Sequence, residues 1–209
     1  GTFTITAAAD VIQAATNLQI LGGDFTITTG GGSANSSTTS EAWGTWGAPT
    51  EEAATTTTEE TTSAKGLKAT GSLAISGGTF VLDTSDDALH TNDTIQITGG
   101  DFTIASGDDG IHADNTVTID DGTIDINQSY EGIEATEITL NGGDIALTTS
   151  DDGINAAGGN DASAVSGRPG ESTFTSTAEG AGLLTINGGT LVVNASGEGT
   201  RQQRKHRDE

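Results

Sequence analysis

From Thr79 to Asp152 the chain writes one pattern of about 22 residues and restarts it three times. A period of that length folds only by stacking its copies on one another. Thr79-Phe80-Val81-Leu82 leads through Ser85-Asp86-Asp87-Ala88-Leu89-His90 and Ile95-Gln96-Ile97 to Gly99-Gly100. The next copy opens at Asp101-Phe102-Thr103-Ile104 and carries Asp108-Asp109-Gly110-Ile111-His112-Ala113, Val117-Thr118-Ile119 and Asp121-Gly122. A third, from Thr123-Ile124-Asp125-Ile126, replaces the acidic pair by Tyr130-Glu131 and continues through Gly132-Ile133-Glu134-Ala135 to Gly142-Gly143. The fourth opens at Asp144-Ile145-Ala146-Leu147 and regains Asp151-Asp152-Gly153-Ile154-Asn155-Ala156.

Apolar residues alternate with polar ones in three short stretches per copy, and alternation of period two means strand. Three such strands cannot bury a face alone, so the pattern predicts an all-β solenoid, a parallel β-helix with three short strands per coil. Successive coils then lie one strand spacing apart, about 4.8 Å. Equivalent residues form columns: Phe80, Phe102, Ile124 and Ile145 face inward in one, Leu89, Ile111, Ile133 and Ile154 in another. Val81, Thr103, Asp125 and Ala146 share an outward column too mixed to be the flat threonine ladder of an ice-binding surface.

The chain of 209 residues has room for about seven coils in one domain, expected over 1–199. Thr2-Phe3-Thr4-Ile5, Asp10-Val11-Ile12 and Leu18-Gln19-Ile20 already fit the pattern, so the sequence opens inside the repeat and is read as a mature or excised region without a signal peptide. Two loop insertions are expected, at about 28–64 and 157–180. The first carries Trp43 and Trp46, the only tryptophans. They either pack the loop onto the coils or offer a stacking platform to a sugar ring. Residues 200–209 form a basic tail read as a disordered appendage. Neither end shows a capping helix, so the β-helix is expected to continue into further sequence or to stack end to end on another copy.

The net charge is −23, and the first 200 residues hold 28 acids against Lys65, Lys68 and Arg168. That sign excludes nucleic acid and anionic membrane surfaces as partners. No stretch approaches the 18 or so apolar residues of a membrane span.

Superposing the copies puts Asp86, Asp108, Tyr130 and Asp151 in one column and Asp87, Asp109, Glu131 and Asp152 in the next. Three positions on stand His90, His112, Glu134 and Asn155, facing outward, with Asp114 just beyond. Carboxylates repeated at this spacing repel by roughly 3–4 kcal/mol per pair at an effective dielectric of 20. Divalent cations between coils would remove that cost, and Asp, Glu, Asn and glycine-corner carbonyls are the oxygen donors calcium accepts. The alternative is plain turn chemistry, since Asp and Gly favour tight corners. Zinc would want more nitrogen than His90 and His112 supply. The histidines read as surface residues, or as the edge of a metal site or sugar site.

The Asp-Asp-Gly-Ile-His-Ala and Ile-x-Ile-x-Gly-Gly-x-Phe-x-Ile runs, with the Thr-rich insertion, resemble the secreted bacterial carbohydrate-binding β-helix family, similar in fold to pectate lyases. The resemblance implies a right-handed parallel β-helix, several calcium ions between coils, a secreted or cell-surface location, and binding of plant cell-wall polysaccharide, pectic or cellulosic. It implies calcium ligands at Asp86, Asp87, Asp108, Asp109, Asp151 and Asp152, with Glu131 and Glu134 where this chain departs from Asp-Asp; Asp114 and Asn155 complete the candidate set.

Three functions follow. A binding module would bridge its carboxylates to uronate sugars through calcium. A structural protein would use calcium to stiffen a rod that stacks end to end. A calcium-dependent lyase would need a basic side chain to take the sugar proton. Lys65, Lys68 and Arg168 are the only body candidates, and the acidic columns themselves hold none, so binding without cleavage is the expectation.

Overall fold

The computed structural model describes residues 1–36, 63–156, 182–197 and the backbone of 201–202. Among them there is no α-helix, only a 3-10 turn at Ser33–Asn35, and every strand pairing is parallel. The strands opening each copy, Thr2–Ala7, Asp24–Thr29, Thr79–Thr84, Asp101–Ser106, Thr123–Gln128, Asp144–Thr149 and Thr190–Ala195, form one seven-stranded sheet in chain order. The remaining strands form a second, eleven-stranded sheet.

Register follows the repeat. Phe3, Phe25, Phe80, Phe102, Ile124, Ile145 and Leu191 pair in succession across the first sheet. Ile12, Leu67, Leu89, Ile111, Ile133 and Ile154 do so across the second. Apart from Phe3, which is 45% exposed, and Ile12 and Leu191, which are partly buried, these columns meet in one buried apolar core. Phe3, Phe25, Phe80 and Phe102 stack with centroids 4.8, 4.9 and 4.6 Å apart, so one aromatic pile runs along the strand-stacking direction.

Close approach between copies dictates the glycine corners. Gly78, Gly100, Gly122 and Gly143 all have positive φ, and a Cβ on Gly143 would stand 2.8 Å from the Gly122 carbonyl oxygen. That same oxygen accepts the Asp144 N–H at 2.8 Å. A side chain would therefore push apart the backbones that this hydrogen bond holds together.

Three expectations are corrected. Two copies have two strands, because the second and third merge into Ile111–Ile119 and Ile133–Leu140 with a bulge between Ala113 and Thr116. Asp93 O accepts both the Asn115 and the Thr116 N–H, which carries the ladder across the corner. The strand expected to break at about residue 28 continues through Thr29. The tail is not a separate appendage at its start, since Arg201–Gln202 add a strand beside Asn155–Ala156. Trp43, Trp46, Arg168 and most of both insertions lie outside the described residues.

Candidate functional site

Four copies leave the first sheet at a corner that carries Asp86-Asp87, Asp108-Asp109, Tyr130-Glu131 or Asp151-Asp152, and the second residue of each pair is buried. Asp87 and Asp109 are 1% exposed, Glu131 4% and Asp152 2%. Burying carboxylates is costly unless their oxygens are satisfied, and here the backbone of the next copy does part of that work. Asp87 Oδ1 accepts the Asp109 N–H at 3.0 Å, and Asp109 Oδ1 accepts the Glu131 N–H at 3.1 Å. Two copies earlier Asp10 Oδ1 accepts the Lys65 N–H at 2.9 Å. Asp10, Asp87 and Asp109 thus each dock the corner stacked upon them, which the calcium argument had not foreseen.

The second oxygens face the histidines. His90 Nδ1 lies 2.8 Å from Asp87 Oδ2, and His112 Nδ1 lies 3.1 Å from Asp109 Oδ2. Register continues the column as Lys68, His90, His112, Glu134 and Asn155. The expected surface histidines are buried instead: His112 is fully enclosed and its ring centre is 5.0 Å from that of His90. The face of the second sheet that bears them is covered at this corner, so period-two alternation does not mean exposure there.

The two ends of the acidic column differ in charge. Lys65 Nζ lies 2.8 Å from Asp86 Oδ1 and 2.5 Å from Asp87 Oδ2. Burial alone would lower the Lys65 pKa, but the charges of Asp87 and Asp86 outweigh it and the ammonium is held. Asp87 is likewise pulled below the usual carboxylate range, burial being overcome by His90 and Lys65. Lys68 is engaged as well, 2.9 Å from Asp10 Oδ2. Further along, no lysine or arginine occurs between Lys68 and Arg168. Burial and the neighbouring Glu134 charge push Glu131 up to about 9, although Asn155 Nδ2 donates to both of its oxygens, at 3.1 and 3.0 Å. His112 is pushed up: its burial is overcome by Asp109, Asp114 and Glu134. Glu134 Oε2, Asn155 Oδ1 and His112 Nε2 are buried without a hydrogen-bond partner.

Donor chemistry separates the clusters. Asp86, Asp87 and Asp108 converge an oxygen-only set within 4.8 Å, of the kind a hard cation takes, but Lys65 already neutralises two of its members. Asp109, His112 and Glu134 converge a mixed nitrogen and oxygen set within the same distance. Around Glu131, Asp151, Asp152 and Asn155 the donors are oxygens and amide, with Asn155 Oδ1 vacant of partners. The candidate acids are therefore brought to one corner, while Asp114 reaches it only through His112 Nε2, 3.5 Å away. Sequence reasoning weighed Lys65 only as a candidate base and missed it as a counter-ion of the acids, and it missed Asp10. Lys65 precedes Leu67 by two residues as Asp87 precedes Leu89, a signal that the insertion hides.

A family model described as carbohydrate-binding domain-containing protein matches residues 1–110 and 108–153. No curated protein matches the chain, and no solved structure does.

Proposed function

Since the chain belongs to the carbohydrate-binding domain-containing protein family, we propose that it is a secreted or surface-displayed module that holds acidic plant cell-wall polysaccharide through calcium. Its stacked copies would be wound as a right-handed parallel β-helix. The observation that carries the calcium reading is the uncompensated end of the acidic column, where Glu131 is pushed up to about 9 and Asn155 Oδ1 is buried without a partner. Glu131, Asp151, Asp152 and Asn155 would hold the cation there; at Asp86, Asp87 and Asp108 it would compete with Lys65, which pairs with the first two. Calcium would supply positive charge able to bridge protein carboxylates to uronate carboxylates. This resolves how so acidic a protein can retain an acidic polymer.

Binding is favoured over cleavage by the state of the lysines. A lyase base must be able to accept the sugar proton, yet Lys65 is a buried ammonium between two aspartates and Lys68 is tied to Asp10 and Ser63. The test is affinity electrophoresis in gels containing pectate or cellulose derivatives, run with calcium and with chelator, beside an assay for unsaturated uronate. Calcium-dependent retardation by pectate without double-bond formation is expected. Retardation unchanged by chelator removes the calcium reading, and product that disappears in Lys68→Ala replaces the binding module by a lyase.

A further inference from the structure

The Asp109, His112 and Glu134 cluster has a chemistry that the calcium reading does not use: two carboxylates, which zinc also accepts, converge with one imidazole, so the nitrogen count that spoke against zinc in the sequence does not decide here. His112 Nδ1 stands 3.1 Å from Asp109 Oδ2 and 3.3 Å from Glu134 Oε2. For metal–ligand bonds of about 2.0–2.1 Å, the edge of a tetrahedron is about 3.3 Å. The two distances from His112 Nδ1 are close to that length. Calcium would require longer bonds and six to eight oxygens, which this pocket with its imidazole does not present.

Unsatisfied atoms point the same way. A ring nitrogen offers one hydrogen, and that at Nδ1 is directed to Asp109, so Glu134 Oε2 stays unbonded although it is close and buried. On the other side of the ring, Nε2 is also unpartnered, with Asp114 Oδ1 at 3.5 Å. A cation shared by Nδ1, Asp109 Oδ2 and Glu134 Oε2 would satisfy Glu134 and leave the Nε2–H to be oriented by Asp114. Histidines that ligate metals are commonly held in that manner, with the far N–H on a carboxylate. The neighbouring cluster of Asp87, His90 and His112 is unsuited to a dication because the Lys65 ammonium sits on Asp87.

We propose that Asp109, His112 and Glu134 form a separate metal site for a small borderline divalent cation of the zinc or cobalt class, buried within the acidic column, with Asp114 as the positioning residue. It is independent of whether calcium or polysaccharide binds elsewhere.

Cobalt(II) is the probe, added to the chelator-stripped, dialysed full chain in the presence of millimolar calcium, with visible absorption reporting low coordination number. One saturable equivalent with that absorption is expected, displaced by zinc and not by calcium. His112→Gln abolishes the band, and Glu134→Gln and Asp114→Asn weaken cobalt affinity about 10- to 100-fold, whereas Asp125→Asn on the exposed sheet face leaves it unchanged. Absence of a saturable band overturns the proposal, as does a band that calcium displaces or that persists undiminished in both Glu134→Gln and His112→Gln. If far-UV circular dichroism shows His112→Gln unfolded, the Glu134→Gln and Asp114→Asn titrations decide.

Discussion

Lys65 Nζ lies 2.5 Å from Asp87 Oδ2, and both side chains are buried, at 8% and 1% exposure. The lysine belongs to the copy below, so the pair is an internal counter-ion across the stack where a second buried acid would otherwise repel the first. Removing one partner of such a pair strands the other charge, a loss of about 3–5 kcal/mol. Lys65→Met should lower the urea midpoint accordingly, and adding Asp87→Asn should recover part of the loss. A Lys65→Met midpoint equal to that of the unaltered protein would show the pair to be energetically idle.

Asp10 accepts hydrogen bonds from the Lys65 N–H and the Ser63 hydroxyl and pairs with Lys68, so it pins the return of the first insertion to the first copy. Burial raises its pKa, but the Lys65 N–H, Lys68 and Ser63 together bring it below its ordinary 3.8. A lowered carboxyl contributes stability that is complete above its unfolded value and is lost as pH falls through the folded one. Asp10→Asn should thus cost about 1–3 kcal/mol at neutral pH, with the difference shrinking toward zero in acid below the ordinary value. Chemical unfolding of both proteins across that range measures it; a constant difference would contradict the assignment to the charge.

Gly143 has φ +86°, and a Cβ there would meet the Gly122 carbonyl oxygen at 2.8 Å. Gly143→Ala should destabilise by about 1–3 kcal/mol from backbone strain, with further loss from the strained interstrand hydrogen bond. Gly77 provides the comparison: its Cβ would lie 3.4 Å from Leu21 O at an ordinary φ, so Gly77→Ala should be near neutral. Equal thermal midpoints for the two variants would rule out the close-approach argument.

The inward columns were legible because alternation and the glycine corners recur with a fixed period, and neither depends on anything outside the copy. Phe80, Phe102, Ile124 and Ile145 pair as that period requires. The acidic site was legible only in part. Its ladder partners are backbone N–H groups, which no side-chain pattern reports, as in Glu131 N–H to Asp109 Oδ1. Lys65 was obscured because the insertion separates it from Asp10, the residue in the equivalent position of the preceding copy. His112 was misplaced for a different reason: facing away from the apolar core was equated with facing water, and a second buried layer of polar side chains occupies that side.

Calcium should raise thermal stability through the lysine-free end of the acidic column, around Glu131. There Glu131 is pushed up to about 9 by burial and by the charge of Glu134, with Asp152 and Asp151 adding to it. A cation that binds the folded chain and not the unfolded one stabilises by mass action, by about 2.7 kcal/mol at a hundredfold excess over its Kd. The thermal midpoint should therefore climb with calcium concentration and fall in chelator. Replacing Asp151 and Asp152 together by Asn should remove most of the increment, since no lysine or arginine occurs between Lys68 and Arg168 to neutralise them from a neighbouring copy as Lys65 does Asp86 and Asp87. Asp86→Asn should remove little of it, because Lys65 Nζ already lies 2.8 Å from that carboxylate. An unchanged midpoint across the calcium series would end the calcium reading, and an increment abolished by Asp86→Asn but not by the double variant would move the cation to the Lys65 end of the column.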